Sequence, residues 1–268
     1  SILTCLLGCL AGSAVASSTW WRFENGQPDQ PVASAPSDDG SCQAIAGTKA
    51  PLGSDDVPLA LLPLNNAPNH GSLHPDGGWL RVPSRAALNA SAGFTVEMWA
   101  KFPPSDANVQ VLVSKGTPGP GNWHIIYQSD GSVRANVYGA AEARLFDAEN
   151  RKLVPNTWYH LAATYELIAD DRTRIRTYVN GQQRGTASGN ALQNTGAGDL
   201  FIGAFADGQF PFHGSIDEFR FTPSLLKPAE FLIAGAKPIP EQAAVPKPVF
   251  VKAGTKISAE LKAKAAGA

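Results

Sequence analysis

The side chains best able to do chemistry in this chain are scattered carboxylates, five histidines and several aromatics set beside turn residues. Cleaving a glycosidic bond takes two facing carboxylates, one acting as acid and the other as nucleophile or base, and alternate strand positions supply such a pair. The nearest approach here is Asp217-Glu218, whose adjacent positions are expected to face opposite ways. Asp170-Asp171 falls in a turn-like stretch, and Glu142, Asp147 and Glu149 are dispersed. His70, His74, His124, His160 and His213 lack close zinc-ligand spacing; His70 and His74 are four apart, but Gly71 and Pro75 oppose a helix there. Neither G-x-S-x-G nor H-E-x-x-H occurs. Gly116, Gly119 and Gly121 alternate with Pro118 and Pro120, which cannot donate the amides a phosphate cradle needs. The chain is expected to bind rather than to catalyse.

Sugar recognition uses an exposed aromatic platform with amide or carboxylate partners nearby. Residues 116–122 lead into Trp123-His124. Residues 204–212 carry Asp207, Gln209 and Phe210 among aromatics, and Asp76-Gly77-Gly78 precedes Trp79. Trp123, His124, Asp207, Gln209, Phe210 and Trp79 are therefore the candidate ligand contacts, with core packing as the alternative for Trp123, Trp79 and Phe210.

Strands must position these side chains. In residues 94–102, Phe94, Val96, Met98, Ala100 and Phe102 share one face, and Thr95, Glu97, Trp99 and Lys101 share the other, the period of a half-buried strand. Asp130-Gly131 and Asn180-Gly181 are hairpin turns between further strand-like runs. No stretch of the body sustains a 3.6-residue apolar period, so an antiparallel sandwich is expected rather than an α/β fold. With 268 residues, 43% hydrophobic, the chain is long enough for one large all-β domain. Only 17% of residues are charged and the net charge is −1, which excludes a generally basic nucleic-acid binder and a highly charged disordered chain.

The two ends differ from the body. Residues 1–19 carry no charge, and Ala14-Val15-Ala16 fits a cleavage site, so this segment is expected to be a secretory signal remnant. A lipoprotein signal with Cys9 as the lipid acceptor is the alternative. The apolar run is too short to span a bilayer. Of the three cysteines only Cys42 lies outside that segment, which leaves no internal disulfide. Residues 223–268, rich in Pro and Lys, are expected to form a linker or tail. A secreted, periplasmic or cell-surface location follows from this reading.

Four segments of the body resemble the LamG-like jelly-roll domains of the concanavalin A-like lectin/glucanase superfamily. These are Trp20-Trp21-Arg22-Phe23-Glu24-Asn25-Gly26, Gly93-Phe94-Thr95-Val96-Glu97-Met98-Trp99, Asn156-Thr157-Trp158-Tyr159-His160-Leu161-Ala162-Ala163-Thr164-Tyr165 with Tyr178-Val179-Asn180-Gly181, and Phe212-His213-Gly214-Ser215-Ile216-Asp217-Glu218-Phe219-Arg220-Phe221. The resemblance covers residues 20–222. It implies two antiparallel sheets packed face to face as a jelly-roll sandwich, with the Trp20 segment pairing near the Phe221 segment and with Trp99 and Trp158 as packing residues. It also implies a binding or adhesion module for a polysaccharide or an extracellular protein. The alternatives are a structural subunit of a cell-envelope complex and a glycan-active enzyme with unusual catalytic residues. The Glu-x-Asp-x-(x)-Glu strand of the superfamily's glycosidases is missing. The resemblance further implies one structural calcium held by Asp217, Glu24 and a carbonyl near Gly77 or Gly78, an incomplete set for an ion that takes six to eight oxygens.

Overall fold

The computed structural model describes residues 17–90, 92–104, 108–117, 122–137, 141–145, 153–169, 172–190 and 198–235. Most of the expected signal segment, with Cys9, lies outside these residues, as do Asp147, Glu149, Asp170-Asp171 and the tail beyond Gly235. The compact body ends at Gly235.

Sixteen strands follow in order among the described residues. They are β1 (Thr19–Trp21), β2 (Ser34–Pro36), β3 (Gln43–Ala46), β4 (Leu52–Ser54), β5 (Ser72–His74), β6 (Leu80–Val82), β7 (Gly93–Lys101) and β8 (Gln110–Lys115), then β9 (Trp123–Tyr127), β10 (Val133–Val137), β11 (Ala141–Leu145), β12 (Trp158–Ala169), β13 (Arg172–Val179), β14 (Gln182–Asn190), β15 (Leu200–Ile202) and β16 (Ser215–Thr222). One sheet runs β14-β13-β12-β7-β16-β5-β4, with β1 added to β16. The other runs β11-β10-β9-β8-β15-β6-β3-β2. Every strand pair is antiparallel. The expected two-sheet sandwich is therefore the fold.

Turn chemistry fixes the hairpins. Asn180 and Gly181, at φ of 49° and 76°, join β13 to β14 with the positive angles a tight hairpin turn needs. Between β9 and β10, Gly131 at φ 76° donates to the Gln128 carbonyl, and Asp130 Oδ1 accepts from the Ser132 amide. The terminal strands close the sheet as the resemblance implies: Thr19 pairs with Phe221 and Trp21 with Phe219.

The inner faces meet in one aromatic core. Phe94 lies 4.5 Å from Tyr165, 5.3 Å from Trp123 and 5.3 Å from Phe221 between ring centroids. Burying each such side chain contributes about 1.5–3 kcal/mol.

Two features depart from simple alternation. The first is a bulge in β16. The register against β7 shifts between Asp217 and Arg220, and Glu218 takes φ 53°. One extra residue resets the alternation, so Asp217 and Glu218 are not segregated to opposite faces as expected. Both are buried, and the Glu218 charge helps raise the Asp217 carboxyl.

The second departure is that β7 is buried on both faces rather than one. Residues 223–235 fold back over its outer face. Thr95 Oγ1 donates to the Ser224 carbonyl and accepts from the Leu226 amide. Phe231 packs 5.9 Å from His160 and 5.1 Å from Tyr178. Under this strap lies Glu97, whose carboxylate accepts from Arg220 Nε at 2.7 Å, His160 Nε2 at 2.9 Å and the Leu232 amide at 2.8 Å. Burial pushes the Glu97 carboxyl up, but the His160 hydrogen bond and charge, Arg220 and the Leu232 amide together hold it below the usual glutamate value of 4.5.

A folded carboxyl held low stabilises the protein above its unfolded pKa, and that contribution drains away as pH falls through the folded value. Glu97→Gln is expected to cost about 3–5 kcal/mol in urea unfolding at neutral pH, because Arg220 loses its buried partner. The gap to wild type should narrow below roughly pH 4.5. Equal stability of the two proteins at neutral pH would contradict this role.

Candidate functional site

The crossover from β15 to β16 carries three of the six candidate contacts, Asp207, Gln209 and Phe210. Residues 203–212 are pinned at both ends. The Gly203 amide donates to the Leu112 carbonyl, the Phe212 amide to the Gly203 carbonyl, and the Val111 amide to the Phe210 carbonyl, all at 2.8 Å. Inside the loop, Ala206–Gly208 makes one 3-10 turn, and the Phe205 amide donates to the Gln209 carbonyl at 2.9 Å.

Trp79 lies beneath this loop, 6% exposed, clustered with Phe201 and Ala204 and with Ala206 packed against them. Gly208 and Gly47 abut its ring so closely that neither position has room for a Cβ. Trp79 therefore supports the loop and offers no open ring face. Trp123, at 0% exposure, is a centre of the core and also has no face for a ligand. His124, 7% exposed, shares a hydrogen bond with Asn136 Nδ2 at 3.1 Å, and burial pushes its pKa down to about 4, so it is neutral near pH 7.

The remaining three candidates come together at the surface. A chain of edge-to-face rings leads outward from His124 to Phe205 at 5.3 Å and on to Phe210 at 6.0 Å. Phe210 is 50% exposed, and Asp207 and Gln209 beside it are exposed as well. Asp207 and Phe210 hold φ of 61° and 51°. Asp tolerates that region; a bulky aromatic does so at a cost of about 1 kcal/mol or more. Half-exposed, Phe210 recovers little of that cost by burial. The arrangement presents an aromatic ring with a carboxylate and an amide as neighbours.

The predicted metal residues divide. Asp217 accepts from Asn69 Nδ2 at 2.8 Å and from the Glu218 amide at 2.7 Å. Burial first, then the charges of Glu218 and Glu24, raise its carboxyl well above the usual aspartate range. Asn69 Oδ1 beside it is buried without a partner among the described residues. Glu24 belongs to the same electrostatic cluster, but its oxygens are engaged: Oε1 by Arg22 at 3.2 Å and Oε2 by the His70 amide at 2.9 Å. Arg22 also donates to Glu218 at 3.0 Å, so much of the cluster's positive charge comes from a guanidinium. Gly78 packs against the Ala50 and Pro51 backbone. Asp217 and Asn69 suit an oxygen-seeking cation; Glu24 is spoken for. Among the described residues no group of three or more His, Cys, Asp or Glu is arranged to hold a metal ion.

One set of side chains escaped the sequence reading. Lys101, Asp56, His74 and His213 line a cavity of about 280 Å³. Trp158, expected to be packing, is only partly buried here and donates from Nε1 to Asp56 Oδ1 at 3.1 Å. These residues come from distant segments with no shared spacing, so no linear signal joins them.

The family model described as the concanavalin A-like lectin/glucanases superfamily, Laminin_G_3, matches residues 75–231. No curated protein matches the chain by sequence. Among solved structures, domain 4 of AbnA, a GH43 extracellular arabinanase from Geobacillus stearothermophilus in complex with arabinotriose, is similar at 16% identity and a TM-score of 0.52, over 79% of this chain and 94% of that one. A Trypanosoma rangeli sialidase in complex with 2,3-difluoro-KDN is similar at 15% identity and a TM-score of 0.52, over 79% of this chain but only 31% of the sialidase. The botulinum neurotoxin serotype C1 binding domain follows at 13% identity and a TM-score of 0.50, over 78% of this chain and 49% of that one. At such identities these structures bear on the fold alone. Family match, four-segment motif and two-sheet topology agree, and the chain belongs to the concanavalin A-like lectin/glucanases superfamily, in the Laminin_G_3 family.

Proposed function

We propose that the body is an exported, non-catalytic module that binds a neutral glycan at the Phe205–Phe210 loop. The observation that carries this reading is Phe210, a large apolar ring held half-exposed in a costly backbone conformation. Such a residue is explained by a ligand that packs on it. The C–H face of a pyranose or furanose would rest on the ring, with Asp207 and Gln209 taking hydroxyls. The arabinotriose bound to domain 4 of AbnA makes arabinan the first polysaccharide to try. The non-catalytic part of the reading is supported by Glu97, the acidic residue of the central strand, whose carboxylate is spent on Arg220, His160 and Leu232 beneath the strap.

The test separates binding from folding. Glycine tolerates positive φ, so Phe210→Gly should leave the unfolding free energy unchanged or raise it by up to about 1 kcal/mol. The same change should weaken polysaccharide retardation in affinity electrophoresis roughly tenfold. A glycan array without a single bound sugar, or full binding by Phe210→Gly, would defeat the reading.

A structural calcium at Asp217 is the second element of the proposal, supported by the buried, unpartnered Asn69 Oδ1 next to a buried carboxylate. Asp217 and Asn69 would supply two of its oxygens, and water or carbonyls the rest. Calcium should then raise the melting midpoint by about 2–4 °C per kcal/mol of binding. EGTA should remove the increment, and Asp217→Asn should be insensitive to both. Identical melting of wild type in calcium and in EGTA would count against the ion.

A further inference from the structure

The cavity beside Lys101 lies at one end of the first sheet, where β7 ends and β12 and β16 begin. At about 280 Å³ it is at the small end of ligand pockets, which run from about 300 Å³ upward. That is room for one sugar ring and too much for a bare carboxylate.

Its hydrogen-bonding balance is lopsided. Asp56, the one carboxylate in the lining, is already used: Oδ1 accepts from Trp158 Nε1, and Oδ2 is ion-paired with Lys101. Lys101 Nζ has three protons to donate and also sits 5.5 Å from the centre of the Trp158 ring. His74 uses Nδ1 toward the Gly214 carbonyl at 2.9 Å. The exposed side chains of His213 and Asn156 have no protein partner among the described residues. His213 is held in place through its backbone, whose amide donates to Gln110 Oε1 at 3.0 Å. Ser54 and Ser215 complete the polar lining. The one carboxylate is engaged, and Lys101 keeps spare protons beside the His213 ring and Asn156 amide, so the pocket can receive an acceptor-rich group such as a carboxylate.

We propose that this cavity is a second binding site, separate from the Phe210 loop, and that it takes a carboxylated sugar residue of the uronic acid class. Lys101 and His213 receive the carboxylate, and Asn156 and Ser54 receive ring hydroxyls. Trp158 is a positioning residue: its indole N–H fixes Asp56, which in turn fixes the Lys101 ammonium. The sugar part of the assignment rests on the glycan-binding reading above; the charge part does not.

The probes are a galacturonic acid trisaccharide and its methyl-esterified form, which keeps the sugar rings and loses the charge, titrated calorimetrically into the full chain. The free acid should bind, and esterification should weaken it roughly tenfold or more, the loss of one charge-assisted hydrogen bond. Lys101→Gln and His213→Ala should each weaken the free acid to a similar degree, while Phe210→Gly should leave it unchanged. His213 is exposed, so its variant keeps the fold even if Lys101→Gln is destabilised. Equal binding of acid and ester, absence of binding by the acid, or indifference to both pocket variants would each overturn the assignment. Neutral arabinan retardation, lost in Phe210→Gly and kept in His213→Ala, reports on the first site independently.

Discussion

β16 is the strand on which the arrangement turns. One edge pairs with β7 along its length; the other takes β5 at Ile216 and β1 at Phe219 to Phe221. A strand with partners on both edges and cover on both faces has no freedom to slip, because a one-residue shift would drive Asp217 and Arg220 into the aromatic core. The Glu218 bulge is what lets a single strand meet these demands. It keeps Phe219 and Phe221 on the core side while Arg220 reaches Glu97 on the outer face. Arg220 in turn donates to the Glu230 carbonyl at 2.8 Å, so the same strand holds the strap that covers its sheet.

From that anchor the functional geometry follows. The chain enters β16 from β15 of the opposite sheet, and the connecting segment must cross the end of the sandwich. Its first half is pinned against β8 and displays Phe210; its second half brings His213 and Gly214 to the Lys101 cavity. Two surfaces of different chemistry, one an exposed aromatic ring and the other lined by the Lys101–Asp56 pair and two histidines, are thus served by one crossover. The outer face of β7 is filled by Phe231 and Leu232 over the Glu97 network.

Much of this was legible in the residues. The nine-residue alternation of β7 and the Asn180-Gly181 turn follow from local pattern, because period two and positive φ leave direct marks in a sequence; the pairing of the Trp20 and Phe221 segments comes from the family resemblance. The loop of Asp207, Gln209 and Phe210 was visible in its composition, aromatics beside a carboxylate and an amide. Trp123 and Trp79 were not separable from it, since an aromatic beside a glycine turn looks alike whether the backbone directs it inward or outward. The bulge at Glu218 carries no glycine to announce it. The Lys101 cavity draws on β7, β5, β16 and the loops around Asp56 and Asn156, and only the tertiary fold brings such separated residues together. The strap was hidden by its composition: proline and small residues read as linker, while the Phe231-Leu232-Ile233 run that docks it is too short to show a period.

The most direct test of the account is amide and ring chemical-shift mapping while a panel of neutral oligosaccharides is titrated into the protein. Shifts centred on Phe205, Asp207, Gln209 and Phe210, with the core ring of Trp123 silent, are the expected result. Shifts confined to any other surface, or none with any sugar of the panel, would contradict the claim that this crossover exists to present an aromatic ring to a glycan.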